Sequence, residues 1–92
     1  MRLFSLEIVA MSLQPGVYRH YKGPLYQVIQ IASHSETDER LVVYRCLYGD
    51  CSWWVRPLAM FAGPVSIAGE EVPRFQWLKP FRAGDFPGVP PL

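Results

Sequence analysis

Short segments of alternating apolar and polar residues, separated by turn-forming residues, dominate the middle of the chain. Between residues 17 and 77 the apolar positions recur with a period of two, and β-branched residues are concentrated in the run from Leu25 to Ser33. Proline and glycine mark the turns at Pro15-Gly16, Gly23-Pro24 and Gly49. This pattern is typical of half-buried strands that reverse direction at short turns. It therefore predicts an all-β fold.

The number and spacing of these segments favour one architecture. Five or six short strands with a single helical turn at Leu58 to Phe61 are typical of a small SH3-like or Sm-like barrel. A barrel would also remove the exposed edges of an open sheet. Pro57 is expected to end the strand before the helical turn, because proline cannot donate to a sheet ladder. Ser35 to Glu39 carries no apolar residue and is expected to be a hairpin tip.

A chain of 92 residues has room for one hydrophobic core. We expect residues 14–79 to form the barrel domain, and residues 80–92, rich in proline and glycine, to form a flexible tail. Residues 1–13 are an apolar leader, and Met11 is an alternative start downstream of most of it. Glu7 interrupts the leader, no cleavage site follows, and no apolar run is long enough to span a bilayer. A cytoplasmic protein is therefore expected.

The two cysteines flank a tight turn, Leu47 to Asp50. Without a secretion signal we expect Cys46 and Cys51 to be reduced, although strands joined by this turn could bring them within bridging distance. Asp50 is expected to accept backbone N–H groups of the turn and to pair with a nearby arginine. Together with His20 and His34, the cysteines supply zinc-ligand types, but their spacing fits no compact zinc module. No metal or cofactor is expected.

Basic and aromatic residues occur together near the ends of the predicted strands. Aromatic rings can stack on bases while arginine and lysine meet phosphates, so the combination favours single-stranded nucleic acid as the first ligand. The formal net charge of +1 means that a local patch must supply the attraction. The candidate binding residues are Arg19, His20, Tyr21, Lys22, Tyr44, Arg45, Tyr48, Trp54 and Arg56.

A structural role for the same residues is the main alternative. A small barrel needs large aromatic side chains to fill it, and basic residues often cover its rim. Alternation along the strand also sends Tyr44, Cys46 and Tyr48 to one face and Val43, Arg45 and Leu47 to the other. The candidate residues therefore cannot all share one surface.

The sequence is also compatible with other functions. A protein partner that receives an exposed edge strand or aromatic patch is the second candidate, and the oligomeric state is undetermined. An aromatic cage for a methylated ammonium group would use Tyr18, Tyr26, Tyr44 and Trp54. A small enzyme would use His20 or His34 with a nearby carboxylate such as Glu36. However, the chain has no nucleophile elbow and no glycine-rich phosphate loop, so catalytic residues are not assigned.

Several short motifs occur in a fixed order along the chain. They are PGxYRHYKG at 15–23, HSET at 34–37, YRxLYGD at 44–50 and WVRPLxMF at 54–61, where x marks a position outside the motif. The set resembles a family of small bacterial proteins described as domain of unknown function 1653, from about Pro15 to Phe75. The resemblance implies a small uncharacterised domain and no particular activity. The cysteines, Trp53, the leader and the tail are not part of the shared motifs.

Overall fold

The computed structural model describes residues 13–92, which form seven strands and one short α-helix. In chain order the elements are β1 (Gly16–His20), β2 (Leu25–Ser33), β3 (Arg40–Cys46), β4 (Trp53–Pro57), α1 (Leu58–Ala62), β5 (Pro64–Ile67), β6 (Glu70–Pro73) and β7 (Phe75–Lys79). A 3₁₀ turn at Ala83–Asp85 follows β7. The predicted all-β class and the single short helix are confirmed.

Five of the strands form one antiparallel sheet in the order β4-β3-β2-β1-β7. The other two strands, β5 and β6, pair only with each other in a separate hairpin. A bulge in β2 lies between Val28 and Gln30, so Ile29 is the extra residue on that strand. Beyond the bulge, Ile31 pairs with Val42 and the apolar positions return to the same face of the sheet.

The sheet does not close into the predicted SH3-like or Sm-like barrel. Within residues 13–92, β4 and β7 remain the two edges of an open sheet. Pro57 ends β4, and the chain turns directly into α1. Strand β5 pairs with β6 and does not extend the five-stranded sheet toward closure. Helix α1 covers one face of the sheet and completes the core there, so closure is not required to bury that face.

The core lies between this face of the sheet and α1. Its buried members are Tyr18, Val28, Val42, Tyr44, Leu58, Phe61 and Phe75. The rings of Phe61 and Phe75 stack with centroids 4.0 Å apart, and Tyr18 meets Phe61 edge-on at 5.4 Å. Stacked and edge-on rings each stabilise a core by about 0.5–1.5 kcal/mol beyond the burial of their area. The buried core has only three aliphatic residues, Val28, Val42 and Leu58, so large aromatic residues fill most of it.

Gly16 begins β1 where β7 and the following segment approach most closely. Its φ is +138°, and a Cβ atom at this position would lie 2.7 Å from the carbonyl oxygen of Lys79 and 2.8 Å from Nε1 of Trp77. Only glycine accommodates both the conformation and the contact. The pairing of β1 with β7 depends on this residue.

The segment after β7 lies against the other face of the sheet. Nη1 of Arg45 donates a hydrogen bond of 2.7 Å to the carbonyl oxygen of Pro90, and Phe81 lies over the same guanidinium group. Lys79 and Asp85 form an ion pair at 3.1 Å. The separation of a domain at 14–79 from a flexible tail at 80–92 stays a prediction, and these contacts are the interactions that any motion of the tail must break.

Residues 1–12, which hold nearly all of the predicted leader and the alternative start, lie outside the described residues. The described part of the chain contains no helix that is long and apolar enough to cross a membrane.

Candidate functional site

Aromatic rings and cations converge on the core side of the sheet, where β1, β2, β3, β4 and β7 lie side by side. We call this surface the aromatic face; it consists of His20, Tyr26, Tyr44, Tyr48, Trp54, Arg56 and Phe75. Tyr26 lies at its centre and meets four rings edge-on, with centroid distances of 5.5 Å to Tyr44, 5.6 Å to Tyr48, 5.7 Å to Phe75 and 6.3 Å to His20. Strand register explains the arrangement, because side chains of neighbouring strands on one face lie within reach of each other.

A depression of about 230 Å³ opens on the aromatic face between β2, β3 and β4. Its lining includes the hydroxyl groups of Tyr26 and Tyr48, which share a hydrogen bond of 2.8 Å. Nε of Arg56 donates to the hydroxyl of Tyr44 at 3.3 Å, and the guanidinium group lies 5.5 Å from the Phe75 ring. The depression therefore combines ring faces, hydroxyl groups and one cation, which suits a ligand that is both flat and anionic.

The rim of the aromatic face is exposed. Trp54 is 56% exposed and Tyr48 48% exposed. Trp54 is held in place by a hydrogen bond of 3.0 Å from its Nε1 to the hydroxyl of Ser52. Exposed rings fixed in one orientation are available for stacking at small entropic cost.

His20 lies among cations at one end of this face. Its ring packs against Phe75 at 4.9 Å and Tyr21 at 4.4 Å, and its Nδ1 accepts the backbone N–H of Lys22 at 3.2 Å. Burial lowers the pKa of His20, and the positive charges of Arg56, Lys22 and Arg74 lower it further. Three cations therefore lie near His20, although the net charge of the chain is only +1.

Arg45 occupies the opposite face of the sheet and is almost fully buried, with 2% of its side chain exposed. Its Nε donates to the side-chain oxygen of Gln27 at 2.8 Å, and its guanidinium group lies between the rings of Trp53 and Phe81, at 5.6 and 5.7 Å. Nη2 is buried without a hydrogen-bond partner. Arg45 joins the sheet to the segment that follows β7 and is inaccessible to a ligand on the aromatic face.

The predicted binding residues are thus divided between two surfaces. His20, Tyr44, Tyr48, Trp54 and Arg56 lie on the aromatic face, with Tyr44 largely buried in its floor. Tyr21 and Lys22 lie in the adjacent turn, where Nζ of Lys22 is 5.7 Å from the Tyr21 ring. Arg19 and Arg45 alternate with residues of that face and so point to the other side.

The predicted set omits three residues that help to form the site. Tyr26 entered only as a ring of the methylammonium cage, although its alternation with buried Val28 could have identified it. Arg74 and Phe75 reach the site because β7 pairs with β1, which brings Phe75 opposite His20. That pairing joins distant parts of the chain, and no local sequence pattern predicts it.

The cage and the histidine-based enzyme have less support in this geometry. Tyr18, a proposed cage ring, is buried in the core and donates its hydroxyl proton to the carbonyl of Gln14 at 2.7 Å. Arg56 contributes a positive charge to the depression, which repels an ammonium ligand. Nδ1 of His34 accepts the backbone N–H of Glu36 at 3.0 Å in an exposed turn. Among residues 13–92, neither histidine has a hydrogen bond or ion pair with a carboxylate.

The turn between β3 and β4 is stabilised as expected in one respect. Oδ1 of Asp50 accepts the backbone N–H of Ser52 at 3.0 Å, which confirms its predicted contact with the backbone. The predicted ion pair of Asp50 with an arginine is not formed in the described part of the chain, where Lys79–Asp85 is the single ion pair. Cys46 and Cys51 are both free thiols. In the same region no cluster of three or more potential metal-binding side chains occurs.

Comparison with known proteins identifies the family. The sequence profile described as "Protein of unknown function (DUF1653)" matches residues 16–77. The crystal structure of a protein belonging to DUF1653 from Bordetella bronchiseptica has 35% sequence identity and a TM-score of 0.72, covering 79% of this chain and 96% of that one. The comparison with curated proteins gives no match. The matched segment runs from β1 into β7 and includes every residue of the aromatic face, and on these grounds the chain belongs to the DUF1653 family.

Proposed function

We propose that this domain is a binding module whose aromatic face accepts single-stranded nucleic acid. The observation that carries the proposal is the convergence of Lys22, Arg56 and Arg74 around His20, beside the exposed rings of Trp54 and Tyr48. Modules that bind single strands combine cations for the phosphates with rings for the bases.

The cations of this site are available to a ligand. Lys22, Arg56 and Arg74 form no ion pair with any carboxylate in the described residues, and only the Nε atom of Arg74 is itself buried. Within residues 13–92, Arg56 makes one side-chain hydrogen bond, from Nε to the hydroxyl of Tyr44, and its two Nη groups would be the donors to an anion. A planar guanidinium group with free Nη donors suits bidentate binding of a phosphate.

The rings of the aromatic face suit nucleic-acid bases better than they suit a small inorganic anion. Trp54 and Tyr48 present exposed ring surface at the rim of the depression, and Tyr26 and Tyr44 form its floor. Stacking of one base on an aromatic side chain contributes about 1–3 kcal/mol and tolerates any base. A small inorganic anion would use the cations and leave these rings unoccupied.

The test is the affinity of the full-length chain for a short mixed-sequence single-stranded RNA carrying a fluorophore, measured by anisotropy at low and moderate salt. Trp54→Ala should weaken binding about fivefold or more through the loss of stacking. Arg56→Gln should weaken it and lower the slope of log K against log salt by about 0.7, the value for one phosphate contact on a single strand.

Arg19→Gln is the matched control, because it removes the same charge from β1 on the opposite side of the sheet. It should leave the affinity and the salt slope nearly unchanged. The proposal is refuted by the absence of binding at low salt, or by equal losses in Arg19→Gln and Arg56→Gln. The first result would direct the search to a protein partner for the same face.

A further inference from the structure

Strand β4 is an exposed edge with an unusual concentration of apolar surface. Its first three residues, Trp53, Trp54 and Val55, are 51%, 56% and 58% exposed. Proteins commonly protect edge strands with lysine, proline or a bulge, since the unpaired backbone groups invite another strand. The opposite edge, β7, ends in Lys79 and pairs with β1 through an irregular register. In β4, Arg56 and Pro57 protect only the end of the strand, and Trp53 to Val55 carries none of these protections.

The pairing of β4 with β3 determines which backbone groups of β4 bond to β3 and which point away from the sheet. Cys46 donates its backbone N–H to the carbonyl of Ser52 at 3.0 Å, so Cys46 and Ser52 are a hydrogen-bonded pair. Bonded and non-bonded pairs alternate in an antiparallel ladder. Trp54 and Arg56 therefore bond to β3, while the N–H and C=O groups of Trp53 and Val55 point away from the sheet.

We propose that β4 pairs antiparallel with β4 of a second copy of this chain, about a twofold axis at Val55. The two five-stranded sheets then join into one continuous sheet. A twofold interface must be complementary to itself. The five residues of β4 meet this condition in both their backbone and their side chains.

The backbone of β4 satisfies the condition. Val55 and its counterpart exchange two hydrogen bonds across the axis, since both of their free groups point outward. On either side, the N–H of Trp53 meets the C=O of Pro57 from the second copy. Pro57 has no N–H, so this pair makes one of its two ladder bonds and leaves the C=O of Trp53 without a ladder partner on each side of the axis. The proline therefore limits the length of the paired segment without preventing the pairing.

The side chains are complementary as well. With Val55 on the axis, Trp54 lies directly opposite Arg56 of the second copy, and each such pair can form a cation–π contact. Arg56 is the one charged residue of β4, so the twofold arrangement brings it to a ring and not to another cation. On the opposite face, Trp53 lies across from Pro57 of the second copy, where two apolar rings can pack.

The test is the mass of the full-length chain in solution by sedimentation equilibrium, without nucleic acid. Two copies of the 10.5 kDa chain are expected to associate reversibly. Val55→Lys puts like charges opposite each other on the axis and should raise the dissociation constant at least about tenfold. Ile67→Lys is the matched control, because Ile67 is another exposed aliphatic residue, 44% exposed, in the separate β5–β6 hairpin. This control should remain dimeric.

Val55→Pro tests the backbone separately. Because the N–H of Val55 points to solvent in a single copy, proline there removes no bond of the β3–β4 ladder but removes both bonds across the axis. It should give a folded monomer, with the fold checked by circular dichroism. A wild-type chain that is monomeric at several hundred micromolar, or a Val55→Pro variant that still dimerises, would overturn the proposal. Neither outcome depends on whether the aromatic face binds RNA.

Discussion

Replacement of Arg45 by methionine tests how the buried guanidinium group joins the sheet to the tail. Methionine has a similar apolar stem, so the substitution removes the polar contacts and leaves most of the packing in place. Those contacts are the hydrogen bonds to Gln27 at 2.8 Å and to the carbonyl of Pro90 at 2.7 Å, together with two ring faces. We expect Arg45→Met to destabilise the fold and to release residues 86–92.

The size of the effect follows from opposing contributions. Each hydrogen bond from a charged donor stabilises the fold by about 1.5–3 kcal/mol, and an unpaired buried amide such as that of Gln27 costs about 1–3 kcal/mol. Against this, Nη2 is buried without a partner and the charge has no carboxylate beside it in the described residues, so removal of the charge recovers several kcal/mol of desolvation. The expected net loss is about 2 kcal/mol, or about 10 °C in Tm for a domain of this size.

The assay is urea unfolding of the wild type and of Arg45→Met, with Arg40→Met as the control at an exposed position of the same strand. Amide exchange of residues 86–92 should also accelerate in Arg45→Met. The double variant Arg45→Met with Gln27→Met should lose less stability than the two single variants together. It leaves neither partner of the Arg45–Gln27 hydrogen bond buried and unpaired. A loss below about 0.5 kcal/mol in Arg45→Met would refute the reasoning, since surface substitutions have effects of that size.

Three further perturbations test other parts of the structure. Gly16→Ala should lower the unfolding free energy by about 1–3 kcal/mol, because its Cβ would lie 2.7 Å from the carbonyl oxygen of Lys79; unchanged urea unfolding would contradict this contact. Asp50→Ala should cost about 1 kcal/mol in thermal unfolding through loss of the bond to the N–H of Ser52, with RNA affinity unaffected. Burial raises the pKa of Tyr18 from 10.0 to about 12, so the folded state holds this proton more tightly than the unfolded state. The associated stability is complete below pH 10 and falls by up to about 3 kcal/mol as the pH rises to 12, a decline that Tyr18→Phe should remove in pH-dependent unfolding.

The strands and their faces could be predicted because they depend on local pattern. Alternation correctly assigned Tyr44 to one face and Arg45 to the other, and the turns at Gly23 and Gly49 follow from glycine chemistry. Residues on one strand carry this information in their own spacing. The prediction that the basic and aromatic residues could not all share one surface was therefore sound.

The rest depends on pairings between distant segments. The barrel is not confirmed, because the turn at Ala68-Gly69 explains the pairing of β5 with β6 but no local pattern shows that β4 stays an edge of the sheet. The bulge at Ile29 shifts the register between β2 and β3. No distinctive residue marks it, because Ile29 lies in a run of apolar residues. Arg74 joins the site through the hydrogen bond from the N–H of Tyr21 to its carbonyl at 2.9 Å, which pairs opposite ends of the domain.

The pKa of His20, measured by NMR with and without single-stranded RNA, tests the proposed binding face most directly. In the free protein the pKa should lie below 6.5, because burial and the charges of Arg56, Lys22 and Arg74 all disfavour the protonated ring. Phosphates bound to those cations would offset their charge, so saturating RNA should raise the pKa. A pKa that stays unchanged while RNA binds would place the RNA elsewhere and contradict the account.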